Sequence, residues 1–190
     1  KINSKIKTIG YVHAFPVGLP TNYIFRDGSP DKLIINGNDQ LHCFKKHLNW
    51  REDCLNILPS TRYSKNAANM SGRIYLPFSL YSSEAIFNSL KKFFEKNKDK
   101  YSLNLVVKNH ALQKNSKEHL KLKNKINNIL LQYKDSQKNN NSNLSIFIGS
   151  TSGPIEALER GSEVVHVCDD PVFQSYSSAL WPSLKVERLN

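Results

Sequence analysis

Residues 144–167 place two apolar runs around a short helical segment, and few architectures can hold that arrangement. The run Leu144-Ser145-Ile146-Phe147-Ile148 stops at Gly149, and three hydroxyl side chains follow, Ser150, Thr151 and Ser152. Gly153 and Pro154 then open a segment in which Ile155, Ala157 and Leu158 fall at helical spacing. Gly161 reads as the helix C-cap, and a second, Val-rich strand is expected over 163–167. Ser152 or Gly153 can cap the helix, and Pro154 suits its first position, where no amide proton is needed. Backbone N–H groups and the positive dipole end of such a helix face one point, so an anion is one natural guest. An ordinary strand-to-helix turn in an α/β domain uses the same residues, and this stretch alone leaves both readings open.

The rest of the chain repeats the theme. Strands are expected at 6–12, 32–35, 55–58, 73–77 and 103–107. Helices are expected at 39–47, from Ser82-Ser83-Glu84 to about residue 97, and over 116–133. The first long helix would bury Ile86, Leu90, Phe93 and Phe94. The second offers Leu120, Ile126, Ile129 and Leu130. Asn36-Gly37 signals a turn, residues 14–30 read as irregular, and residues 135–143 form a polar, Asn-rich loop. Strands alternating with helices call for a parallel sheet covered on both faces. Ligands of such sheets bind beyond the C-terminal strand ends. The segments Phe78-Ser79-Leu80-Tyr81, Lys108-Asn109-His110 and Ser150-Thr151-Ser152 all follow strands, so all three are expected to rim one crevice.

Composition narrows the partners. The 190 residues carry a net charge of +11, which favours polyanions or phosphorylated ligands. Much of the lysine lies between Lys91 and Lys138 at helical spacing, without the interleaved aromatics of single-strand nucleic-acid binders. A solvated helix face explains it, and no nucleic-acid partner is expected. A non-catalytic basic module that binds nucleic acid or an anionic membrane through this face is the reading from another class. No apolar run approaches the roughly 20 residues that span a bilayer. The start, Lys1-Ile2-Asn3-Ser4-Lys5, shows neither the apolar core of a secretory signal nor an initiating Met, so the chain is read as a candidate fragment. Cys43, Cys54 and Cys168 are odd in number and widely spaced, which suggests reduced thiols in the cytoplasm rather than a disulfide frame or a zinc site. His42, His47, His119 and His166 show no metal-ligand spacing, so no metal or other cofactor is expected.

Several pieces occur in a recognisable order: Ile9-Gly10-Tyr11-Val12-His13, residues 30–37 (Pro-Asp-Lys-Leu-Ile-Ile-Asn-Gly), Leu58-Pro59-Ser60-Thr61-Arg62-Tyr63, Lys108-Asn109-His110-Ala111, and the stretch from Ser150 to Gly161. Together they resemble the C-terminal, donor-binding half of GT-B-fold glycosyltransferases of the bacterial surface-polysaccharide type. The resemblance covers most of residues 9–167. It implies a Rossmann-like domain over 31–168, preceded by the end of another domain and a linker (1–30) and followed by a tail packed on the domain (169–190). It also implies that Ser150, Thr151, Ser152 and Gly153 hold the donor phosphate and that Glu156 accepts from ribose hydroxyls. Lys108, His110 and Arg62 would contact nucleotide or phosphate. His13 and His110 would be catalytic. Ala111 stands where the family pattern has proline. The partners so implied are a nucleotide-sugar donor, possible in CMP-linked form, and a glycan or lipid-linked acceptor. The implied setting is the cytoplasm, with the inner face of an anionic membrane as a peripheral contact. Polyol-phosphate transferases of the teichoic-acid type share these motifs and are the alternative.

Overall fold

The computed structural model describes residues 6–12, 21–58, 70–134, 142–149, 151, 153–168 and 180–188. Two all-parallel sheets result. The first has the order β1 (Ile9–Tyr11), β2 (Lys32–Ile35), β3 (Leu55–Ile57), with α1 (Asn38–His47) between β2 and β3. The second has β4 (Arg73–Tyr75), β5 (Val106–Lys108), β6 (Leu144–Ile148), β7 (Glu163–Cys168) and β8 (Leu184–Arg188), in the spatial order β5-β4-β6-β7-β8. Between its strands run α2 (Ser83–Asn97), α3 (Lys117–Lys134) and α4 (Gly153–Glu159). The fold is α/β and Rossmann-like, as the alternation of patterns requires.

Each face of the second sheet has its own core. Ile74, Val107, Ile146, Ile148, Val165 and Val167 point to α2 and α3, where they meet Ile86, Leu90, Phe93, Phe94 and Ile126. The alternate residues Phe147 and Val164 point the other way, toward Ile155 and Ala157 of α4. That second core is continuous with Leu33 and Ile35 of β2, Cys43 and Phe44 of α1, and the fully buried Trp181. Full burial of side chains of this size is worth about 1.5–3 kcal/mol each. β1, assigned from sequence to the end of a preceding domain, pairs with β2 from Ile9↔Lys32 to Tyr11↔Ile34. Beyond it, the Asn36 side-chain amide donates to the Val12 carbonyl (3.1 Å), and the Asn36 backbone N–H donates to Gln40 (2.9 Å).

The structure departs from the sequence reading in three places. β8 was read as part of a tail, yet it pairs parallel with β7 over five residues from Val164↔Leu184 to Cys168↔Arg188. Residues 103–105 are not strand, because the Leu105 N–H turns back onto the Leu103 carbonyl (2.8 Å), and β5 starts at Val106. α3 buries Leu122 rather than Leu120, which stays 40% exposed. His119 takes the inward position instead, at 3% exposure, and its partners are polar. Its Nε2 lies 2.9 Å from the Pro77 carbonyl, which can only accept, so Nε2 carries the proton. Nδ1 sits 2.9 Å from the Ser116 hydroxyl. This buried histidine ties the loop after β4 to the first turn of α3.

Candidate functional site

Chain order and spatial order in the second sheet disagree in one place. The chain runs from β4 outward to β5, then returns past β4 to β6 and continues on the other side. α2, which follows β4, packs on one face, and α4, which follows β6, packs on the other. The chain therefore leaves β4 and β6 toward opposite faces, and the C-terminal ends of these two strands are the usual ligand position in open parallel sheets. Adjacent strands lie about 4.8 Å apart, so β5 and β6, on either side of β4, set a rim about 10 Å across.

The β5 side of the rim carries Lys108 and His110, both exposed. His110 Nδ1 accepts the Leu112 backbone N–H (3.3 Å) and so caps the short 3-10 turn Ala111–Gln113. That bond assigns the ring proton to Nε2, which can donate to an oxyanion. Phe78, from the loop after β4, meets the His110 ring edge-on at 5.4 Å between centroids. Asn109, between Lys108 and His110, keeps its buried Oδ1 without a hydrogen-bond partner among the described residues. The sequence reading did not single it out. A buried acceptor with no donor is uncommon enough to mark the position.

The β6 side is built on a cross-sheet row. Tyr75, Phe147 and His166 are register partners on β4, β6 and β7. The Tyr75 and Phe147 rings stack at 4.5 Å and 4°. Gly153 lies on the Phe147 ring, and a Cβ there would come within 3.0 Å of Cδ1 and closer still to Cε1. Glycine is required at this position by close approach. Gly149 ends β6 with φ 72°, the left-handed region that glycine enters freely. Its N–H donates to the Val167 carbonyl (3.0 Å), and its carbonyl lies 2.8 Å from His166 Nε2. His166 is fully buried, and sequence spacing assigned it no role. The available signal was a polar residue in the middle of the apolar run Val164-Val165-His166-Val167.

The sequence-predicted residues fare differently from one another. Lys108 ends β5 and His110 follows it, while Thr151 follows β6 and Gly153 opens α4. Ser150, Ser152, Arg62 and His13 fall outside the described residues. Thr151 acts inside the turn: its Oγ1 accepts the Gly153 N–H at 3.2 Å, so that N–H is already engaged. Pro154 has none to offer. The anion donors expected from the start of α4 are correspondingly fewer. Glu156 accepts from Arg160 Nη2 at 2.6 Å, one turn along α4, with side chains 28% and 14% exposed. Any ribose contact shares this carboxylate with the arginine. The end of α4 is closed as the sequence suggests: Gly161 has φ 78°, with Ser162 N–H bonded to Ala157 O (3.0 Å) and Gly161 N–H to Leu158 O (2.9 Å), a Schellman cap.

An unexpected acid sits behind the turn. Glu159, the last residue of α4, packs on Gly37 at the start of α1, where a Cβ would lie 2.7 Å from Glu159 Cγ. Both carboxylate oxygens are buried without hydrogen-bond partners among the described residues. Burial, and secondarily the charges of Asp39 and Glu156, push its pKa up to about 8.

Among the described residues, no group of three or more acids, histidines or cysteines gathers as a metal site. No described helix is long and apolar enough to cross a membrane. No protein-family model matches the chain, and no curated protein is similar enough to stand as a relative.

Proposed function

We propose that this chain is the donor-binding portion of a glycosyltransferase, one that takes a nucleotide-activated sugar, with a CMP-linked acidic sugar as first candidate. The acceptor would be a glycan or a lipid-linked saccharide. The observation that carries the reading is the strand-order reversal between β4 and β6, with Lys108 and His110 on one side of the crevice and the glycine-bounded hydroxyl turn on the other. A rim about 10 Å across suits the phosphates of a nucleotide. In transfer, charge develops on the leaving phosphate. Lys108, the His110 Nε2–H and donors of the turn would stabilise that charge from fixed positions. Peripheral contact with an anionic membrane at the cytoplasmic face fits the +11 charge.

Calorimetric titration with CMP, UDP, GDP, CDP-glycerol and inorganic pyrophosphate tests the reading. Binding of a nucleotide with preference for CMP supports it. Preference for CDP-glycerol moves the assignment to polyol-phosphate transfer. Failure of every nucleotide to bind at millimolar concentration refutes it.

A further inference from the structure

The loops that follow β4 and β5 keep large apolar side chains in solvent. Tyr81 is 81% exposed, Leu112 78% and Phe78 49%. Scattered apolar residues are ordinary on a surface, whereas several at one end of a sheet mark an interaction face. These loops are held in place. The Pro77 carbonyl lies 2.9 Å from Nε2 of the buried His119, and the Ser83 hydroxyl donates to Glu118 (3.5 Å). Phe78 meets the His110 ring at 5.4 Å between centroids, and His110 Nδ1 accepts the Leu112 N–H (3.3 Å). Within the first loop Leu80 packs on the core, which leaves Phe78 and Tyr81 outside. Backbone that is already fixed loses little entropy on docking.

Charge on the same loops says what fits them. Residues 77–82 carry no charge, and residues 108–121 hold four lysines against one acid, Glu118. Lys114, Lys117 and Lys121 are exposed. Glu84, in the first turn of α2, is already paired with Lys125 (2.6 Å). We propose that this face docks on an anionic lipid surface, with the three lysines on headgroup phosphates and Leu112, Phe78 and Tyr81 at the edge of the acyl region. Tyrosine favours that boundary because its ring is apolar and its tip polar. Lysines close to an anionic leaflet add attraction that bulk salt screens. A nucleic acid would satisfy the lysines and leave Leu112 in water. The inference rests on the membrane contact proposed above and gives it a place in the fold; it does not require nucleotide binding. Docking this way sets the strand ends that carry Lys108 and His110 beside the headgroups, where a lipid-linked acceptor resides.

Co-sedimentation with phosphatidylcholine vesicles containing about 30% phosphatidylserine, and with pure phosphatidylcholine vesicles, tests it. Wild type is expected to bind the anionic vesicles, less at high salt, and to ignore the neutral ones. Tyr81→Ser with Leu112→Ser is expected to weaken binding about tenfold. Lys114→Gln with Lys117→Gln is expected to weaken it about fivefold per lysine. Lys92→Gln with Lys96→Gln removes the same charge from exposed positions of α2 and is expected to change binding by less than about twofold. All these side chains are exposed, and thermal unfolding checks that each variant folds. If the serine pair does not fold, the two lysine pairs decide the matter. Equal losses from the two lysine pairs, or unchanged binding by a folded serine pair, overturn the assignment of this face. Wild type without affinity for anionic vesicles overturns it together with the membrane contact, and so does binding to polyuridine alone. Vesicle binding without nucleotide binding upholds this inference and refutes only the transferase reading.

Discussion

Glu159 should make the stability of this protein depend on pH. Its pKa is raised from the ordinary 4.5 to about 8, chiefly by burial and then by Asp39 and Glu156. The folded protein therefore keeps a proton that the unfolded chain releases. Below pH 4.5 both states are protonated and nothing is lost. Between 4.5 and about 8 the unfolded state binds fewer protons, so stability falls as pH rises; above 8 the loss is complete. At about 1.36 kcal/mol per pH unit, the loss accumulated by pH 7 is capped at about 3.4 kcal/mol. The residue keeps some contact with solvent, which screens the effect, and about 1–2 kcal/mol is the working expectation. Glu159→Gln keeps the shape and removes the ionisation. It should match wild type at pH 5 and exceed it at pH 8 by about 1–2 kcal/mol. Asp39→Asn removes one of the two repelling charges and should give a smaller gain in the same direction. Urea unfolding of the three proteins at pH 5.0, 6.5 and 8.0 reads this directly. A Glu159→Gln difference that is constant across pH, or a loss of stability at pH 8, would show that the carboxylate is ionised and compensated in the fold.

Three further outcomes probe the turn. Gly153→Ala should lower stability by about 1–3 kcal/mol, because overpacking against Phe147 outweighs the roughly 1 kcal/mol that alanine gains over glycine in a helix; a raised melting temperature would contradict the packing. Thr151→Val removes the acceptor of the Gly153 N–H and should cost about 1 kcal/mol in denaturant unfolding, along with weaker CMP binding in calorimetry. Glu156→Gln should weaken nucleoside-containing ligands and spare inorganic pyrophosphate, which has no ribose; equal affinities for CMP would leave the carboxylate as a partner of Arg160 only.

What could be read from the residues was what short-range physics writes into them. The i, i+4, i+7, i+8 pattern of Ile86, Leu90, Phe93 and Phe94 specified a helix and its buried side. Gly161 specified a cap that the left-handed backbone and two carbonyl bonds realise. The alternation of runs specified a parallel sheet, but not that the strands divide into two of them. The misreadings have a common cause. Leu120 was a sound choice by hydrophobicity, but the inward position belongs to His119 because the Pro77 carbonyl, distant in sequence, needs a donor there. β8 was passed over because its pairing partner, β7, lies across a long connection. The candidate site divides in the same way. Hydroxyls between two glycines after a strand were visible as a turn suited to an anion. That the turn rests on a Tyr75–Phe147 stack, that His166 holds its first carbonyl, and that Glu159 is buried against Gly37 depended on which strands became neighbours. Local sequence carries periods and caps, because those interactions close within a few residues. Strand order, cross-sheet rows and the burial of a lone charge exist only once distant segments pack, and so they were decided by the tertiary structure.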